Sequence, residues 1–234
     1  MRPASNVQCL DFPCLDTRRA SNIVPNVDIN PEDISILLIS EAAPENPPDY
    51  YYAGENALFA QTTLLAFQDA GAKVQSIRDI LGLGVYLTTA VKCGKTGYGI
   101  ATDTIQHCSH LLEKEIALFP NVKVYLLMGD VAIRAVNMIA KRNGEPRVIP
   151  AGSTYKIRGG EFTFREARAL PSYVQAGPAF FVEKVKRRMI AEDIRKAFQV
   201  VVDSLPQRAR RFTKEKKWKR PFKNDSSPSR SRLN

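Results

Sequence analysis

Three short apolar runs mark the chain, and helical periodicity fills the gaps between them. Ile34–Ser40 is flanked by NPED and by a turn, which suits a strand buried on both faces. Val85–Val91, VYLTTAV, is rich in β-branched residues and predicts a second strand. Val122–Met128 predicts a third, ending at Gly129. Between and after them, apolar positions recur at steps of three and four. Asn56–Ala70 carries Phe59, Thr62, Leu65 and Ala66 on one side and is stopped by Gly71. Thr104–Phe119 carries Ile105, Cys108, Leu112, Ile116 and Phe119 and is closed by Pro120. Asp130–Lys141 places Ala132, Ala135, Val136 and Ile139 on one face. Pro178–Leu205 predicts one long amphipathic helix, with Phe181, Val185, Met189, Ile194, Phe198, Val201 and Leu205 toward the core. In the weaker stretch Arg147–Arg168, RVIP, STYKI and EFTFREARAL predict short strands around Gly159–Gly160.

Strands that alternate with helices imply an α/β fold with a parallel sheet covered on both faces. In such sheets the binding crevice lies beyond the carboxyl ends of the strands. Glu41, the residues after Val91, Gly129 and Leu170–Ser172 then share one rim. A buried strand that ends on a carboxylate and runs into PENPPDYYYAG is the feature that most suggests chemistry there. Glu45 and Asp49 are nearby acidic alternatives, and the competing reading of Glu41 is a helix-capping or turn carboxylate.

Charge changes the picture at one end. The net charge is +10, but Gln207–Asn234 holds eleven Lys and Arg against two acids, so the body is almost neutral. That segment predicts a basic, disordered tail on a globular unit spanning 1–206. Phe212, Trp218 and Phe222 interleave with its cations, a mixture suited to stacking on bases while Lys and Arg meet phosphates. Lys184, Lys186, Arg187 and Arg188 form a second basic group, which as a plain helix surface is simply solvated. No apolar run is long enough to span a membrane and no secretory h-region opens the chain, so the expectation is a cytoplasmic monomer without a membrane partner. There is no Walker A or GxGxxG loop.

The four cysteines, Cys9, Cys14, Cys93 and Cys108, allow ordinary buried thiols, a zinc site or an iron–sulfur cluster. Cys108 lies on an apolar helical face and fits the first reading. Cys9 and Cys14 sit in a polar, Pro-containing leader and fit it poorly. His107 and His110 flank Cys108 and could replace a thiol as zinc ligands.

CLDFPCLDTRR, LLISEAAP, VYLTTAVKC, HCSHLLEKEIALFPNVKVYLLMGDVA and ALPSY follow one another in an order similar to that of the iron–sulfur-containing (family 4-like) uracil-DNA glycosylases. The resemblance spans Cys9 to Ile194. It implies a three-layer α/β/α sandwich around a four-stranded parallel sheet, and a [4Fe–4S] cluster held by Cys9, Cys14, Cys93 and Cys108. It also implies DNA repair by flipping a damaged base and hydrolysing its N-glycosidic bond, with uracil-containing or otherwise damaged DNA, single- or double-stranded, as partner.

On this resemblance, Glu41 in SEAAP stands for the acidic residue of GEAPG and would orient or activate water. YYAG looks like the family's PFVG, which puts Tyr52 in the place of the base-stacking Phe, followed by Gly54. Departures are as plain as matches. The first cysteine spacing is C-x4-C where the family more often shows C-x2-C. The base-reading Asn is Thr89, and the HPS motif becomes Leu170-Pro171-Ser172, without its His. Losing one oxyanion-type donor typically costs about 100- to 1000-fold in rate. The rival expectation is therefore a catalytically weak or inactive nucleic-acid-binding relative that keeps the fold and cluster. A glycosidase for free nucleosides is a third, against which the basic tail argues.

Overall fold

In a computed structural model, residues 1–97 and 99–205 are described. The basic segment Gln207–Asn234 lies outside them. Strand β1 (Thr17–Arg18) belongs to the leader. β2 (Ile36–Ala42), β3 (Val85–Val91), β5 (Val124–Met128), β6 (Phe162–Phe164) and β7 (Ala167–Ser172) make the main sheet, and β4 (Gly94–Lys95) pairs with β1. The helices are α1 (Leu58–Asp69), α2 (Ile77–Gly82), α3 (Thr102–Ile116), α4 (Asp130–Arg142), α5 (Thr154–Ile157), α6 (Ala179–Val182) and α7 (Lys184–Ser204).

The sheet runs β3-β2-β5-β7-β6. Its first four strands are parallel, as expected, and β6 adds a short antiparallel edge through a hairpin with β7. Side-chain alternation divides the core in two. Leu37, Ile39, Tyr125 and Leu127 point to the face covered by α3 and α4. Ile36, Leu38, Leu126 and Met128 point to the face covered by α1, α2 and α7. Both faces are dry, which is why these strands read as continuous apolar runs rather than alternating ones. The result is an α/β/α sandwich. No helix among the described residues is long and apolar enough to cross a membrane.

Two expectations need correction, the strands at RVIP and STYKI and the unbroken helix Pro178–Leu205, whereas EFTFREARAL does form strands. RVIP and STYKI form no strand; Thr154–Ile157 is a single helical turn. The β6–β7 hairpin turns at Arg165 and Glu166, with φ of 48° and 64°, the left-handed pair that a two-residue hairpin demands. The predicted helix Pro178–Leu205 breaks at Glu183, whose φ and ψ of −88° and 68° are not helical. The break also shifts the buried face: Ile190, Ala191, Ile194 and Ala197 meet the sheet, whereas Phe181 is 44% and Val185 60% exposed.

Candidate active site and cysteine site

Because β2, β3, β5 and β7 run the same way, their carboxyl ends open on one side. A cavity of about 790 Å³ lies there. Its floor is the end of β2, Ser40 to Ala42. Its walls come from the Pro44–Asp49 loop, the start of α1 at Leu58 and Phe59, the turn after β4 from Lys95, and the segment Val174–Pro178 after β7.

Glu41 is the half-buried carboxylate of this floor. Its Oε1 accepts the Val131 N–H at 3.4 Å, so it lies against the N-terminus of α4. Burial pushes its proton affinity above that of an ordinary carboxylate. The Val131 and Asp130 N–H groups and the Lys95 charge only partly offset that, and the Asp130 carboxylate adds to the rise. Gly129 makes this fit possible. Its φ and ψ are 101° and 170°, and a Cβ there would lie 2.5 Å from Glu41 Oε1 and 2.5 Å from Val174 Cγ2. Glu41 is thus both a helix-capping group and a cavity carboxylate. The two sequence readings describe one side chain.

Two cavity residues escaped the sequence reading. Phe59 presents an aromatic ring, packed 5.4 Å from Tyr51, although its helical spacing suggested only a core position. Asn46 is exposed at the rim and its amide makes no capping hydrogen bond to the short helix Pro47–Asp49. Of the acidic alternatives, Glu45 pairs with Arg18 at 2.9 Å, and Asp49 accepts the Leu58 N–H at the start of α1 at 3.5 Å.

The other predicted base-binding residues are placed elsewhere. The Tyr52 hydroxyl accepts the Leu87 N–H at 3.0 Å and donates to the Leu87 carbonyl at 3.1 Å, and its ring stacks on Tyr86. Tyr52 and Gly54 border a separate cavity of about 550 Å³ on another side of the aromatic loop. Thr89 is fully buried inside β3, its hydroxyl without a partner. Leu170, Pro171 and Ser172 remain inside β7, which runs to Ser172 rather than ending before it. The Ser172 hydroxyl donates to buried Asp193 at 2.6 Å, and Arg158 holds the same carboxylate at 2.8 Å. The strand exit that does reach the cavity begins two residues later, at Val174.

The leader folds back over the exit of β3. Thr17 and Arg18 pair with Lys95 and Gly94, the Ile23 N–H donates to the Lys92 carbonyl at 2.7 Å, and Asp16 accepts the Ala101 N–H at 2.6 Å ahead of α3. This brings Cys9 and Cys14 within electrostatic reach of Cys93, and Cys14 within reach of Cys108. None of the four forms a disulfide. Burial raises the thiols of Cys9, Cys93 and Cys108, the last to about 12. The cysteines also act on one another: Cys14 raises Cys9, Cys9 and Cys14 raise Cys93, and Cys93 and Cys14 raise Cys108. Two donors already face sulfur: Asn22 Nδ2 lies 3.3 Å from Cys93 Sγ, and the Lys92 main-chain N–H bonds the Cys108 sulfur. Among the described residues no three His, Cys, Asp or Glu side chains close round a single metal ion. Sulfur is the ligand type that a multi-iron cluster takes, and two of these four thiols, Cys93 and Cys108, have N–H donors to sulfur.

No family model matches the chain. Over 84 residues it is 30% identical to the type-5 uracil-DNA glycosylase of Thermus thermophilus, a stretch covering 35% of this chain and 37% of that protein. The likeness is thus between about a third of this chain and about a third of that glycosylase.

Proposed function

We propose that this protein binds DNA and hydrolyses the N-glycosidic bond of a base flipped into the Glu41 cavity. The observation that carries the reading is a half-buried carboxylate, fixed at a helix N-terminus, on the floor of a crevice at the carboxyl end of a parallel sheet. As a carboxylate, Glu41 orients a water toward the sugar carbon. Its raised proton affinity makes it a better base than an ordinary surface glutamate. Phe59, not Tyr52, is the ring we assign to the face of the base, because Phe59 lines this cavity and Tyr52 is spent on strand β3. Asn46 offers both an amide donor and an acceptor for a base edge. Gln207–Asn234 supplies nonspecific affinity for phosphate.

Cys9, Cys14, Cys93 and Cys108 are the residues we assign to a [4Fe–4S] cluster. Its contribution would be structural, a cross-link between the leader, the exit of β3 and α3. The residues themselves orient the turn that follows, because Cys93 is two positions before Lys95 on the cavity wall.

A second reading has its own support. The positions that match the family's Asn and His, Thr89 and Leu170, are buried in strands and give the cavity no donor. That favours a binder with slow or no catalysis. Base release from uracil-containing single- and double-stranded oligonucleotides separates the two. We expect release by the wild type and a rate roughly 100- to 1000-fold lower for Glu41→Gln. Salt-dependent DNA binding with no release above the Glu41→Gln control would establish the binder instead.

A further inference from the structure

Behind the cysteines lies a buried charge pair that the proposed chemistry does not use. Lys92 is 0% and Glu115 1% exposed, and the two are joined directly as an ion pair. Thr88 bridges them, accepting from Lys92 at 2.8 Å and donating to Glu115 at 2.9 Å, and the Tyr86 hydroxyl donates to Glu115 at 2.7 Å. Apolar residues of similar volume often fill sites of this kind at equal or better stability, since removing two charges from water commonly costs more than their attraction returns. The polar pair therefore calls for a reason other than folding.

Its geometry supplies one. Lys92 immediately precedes Cys93, and Glu115 lies two helical turns after Cys108 on the same buried face of α3. Strand exit and helix are thus joined at two levels: by the Lys92–Glu115 pair, and by the Lys92 main-chain N–H that meets the Cys108 sulfur. The Lys92 carbonyl holds the leader through Ile23, next to the Asn22 amide that reaches Cys93. One residue touches all three segments that carry the cysteines.

We propose that Lys92 and Glu115 are positioning residues of the cysteine site, setting the register of β3 against α3 so that Cys93 and Cys108 present their sulfurs to one cofactor. The proposal rests on the cluster reading given above. Hydrogen-bonding partners behind metal ligands typically change retention by about 10- to 100-fold when removed.

The test uses the full chain purified without oxygen, as wild type and as Lys92→Met/Glu115→Gln, which removes both charges but keeps an acceptor for Tyr86 and Thr88. Iron and acid-labile sulfide per chain, visible absorption, the decay of that absorption in air, and thermal melting by circular dichroism are compared. The expected result is a variant that melts close to wild type, loses its cluster roughly 10- to 100-fold faster and shows an altered visible spectrum. Equal cluster content, spectrum and decay in a folded variant would overturn the proposal and leave the cluster reading intact. A wild type without iron or labile sulfide after anaerobic reconstitution would overturn both. Should the double variant not fold, Thr88→Val decides: faster decay supports the proposal, and wild-type decay overturns it.

Discussion

Gly129→Ala is the most direct probe of how the fold holds its carboxylate. At φ 101° and ψ 170° the residue occupies a region essentially reserved for glycine, and forcing alanine there costs about 1–3 kcal/mol. The new Cβ would also meet Glu41 Oε1 and Val174 Cγ2, each at 2.5 Å, and relieving such crowding costs roughly another 1–3 kcal/mol. Together these remove about 2–6 kcal/mol from a total stability that is typically about 5–15 kcal/mol. For a chain of this size that lowers the melting temperature by roughly 4–24 °C. Urea and thermal unfolding measure the loss, and base release per folded molecule measures displacement of Glu41. The steric share belongs partly to Glu41, so the same substitution made in a Glu41→Ala background should cost less, with a coupling of about 0.5–3 kcal/mol. A Gly129→Ala protein within about 0.5 kcal/mol of wild type would refute the reasoning. Equal costs in the two backgrounds would remove the Glu41 share of its steric part.

The raised proton affinity of Glu41 predicts an acid limb of the pH–rate profile above the ordinary glutamate value of about 4.3, absent from the residual activity of Glu41→Gln. Native Glu41 and Asp193 both hold protons more tightly than in the unfolded chain, since burial outweighs their hydrogen bonds. Stability should therefore fall as pH rises from the unfolded carboxylate values through the raised native ones, and Glu41→Gln should flatten part of that slope in urea titrations. Phe59→Leu should raise the KM for base release by roughly 5- to 150-fold, the worth of one base–aromatic stack; an unchanged KM would move stacking away from this ring. Tyr52→Phe should lower stability by about 1–3 kcal/mol by stripping Leu87 of its partner, with base release per folded molecule unaltered.

The sheet was legible because burial on two faces leaves continuous apolar runs: β3 lies where VYLTTAV predicts it, and β2 and β5 start two residues later than read. Glu41 was legible for the same reason, being the first charge after such a run. The helix α2 was not, since its six residues give too short a period to register. Strand β7 ends at Ser172 because it pairs with β5 as far as Met128, a long-range fact that no local pattern at Leu170–Ser172 carries. The role of Tyr52 was hidden likewise. A hydroxyl's partner thirty-five positions away depends on which strand lies outermost, and topology alone decides that.

That same hydroxyl matters to how copies of the protein treat one another. β3 is the outermost strand on its side, and bare strands of this kind invite another chain to add on and polymerise. At Leu87 the phenol has claimed both the N–H and the carbonyl, so an incoming strand would have to evict a half-buried aromatic ring before it could zip up. On the opposite side β6 offers only three residues. Both borders of the sheet are thereby poor templates for fibril growth.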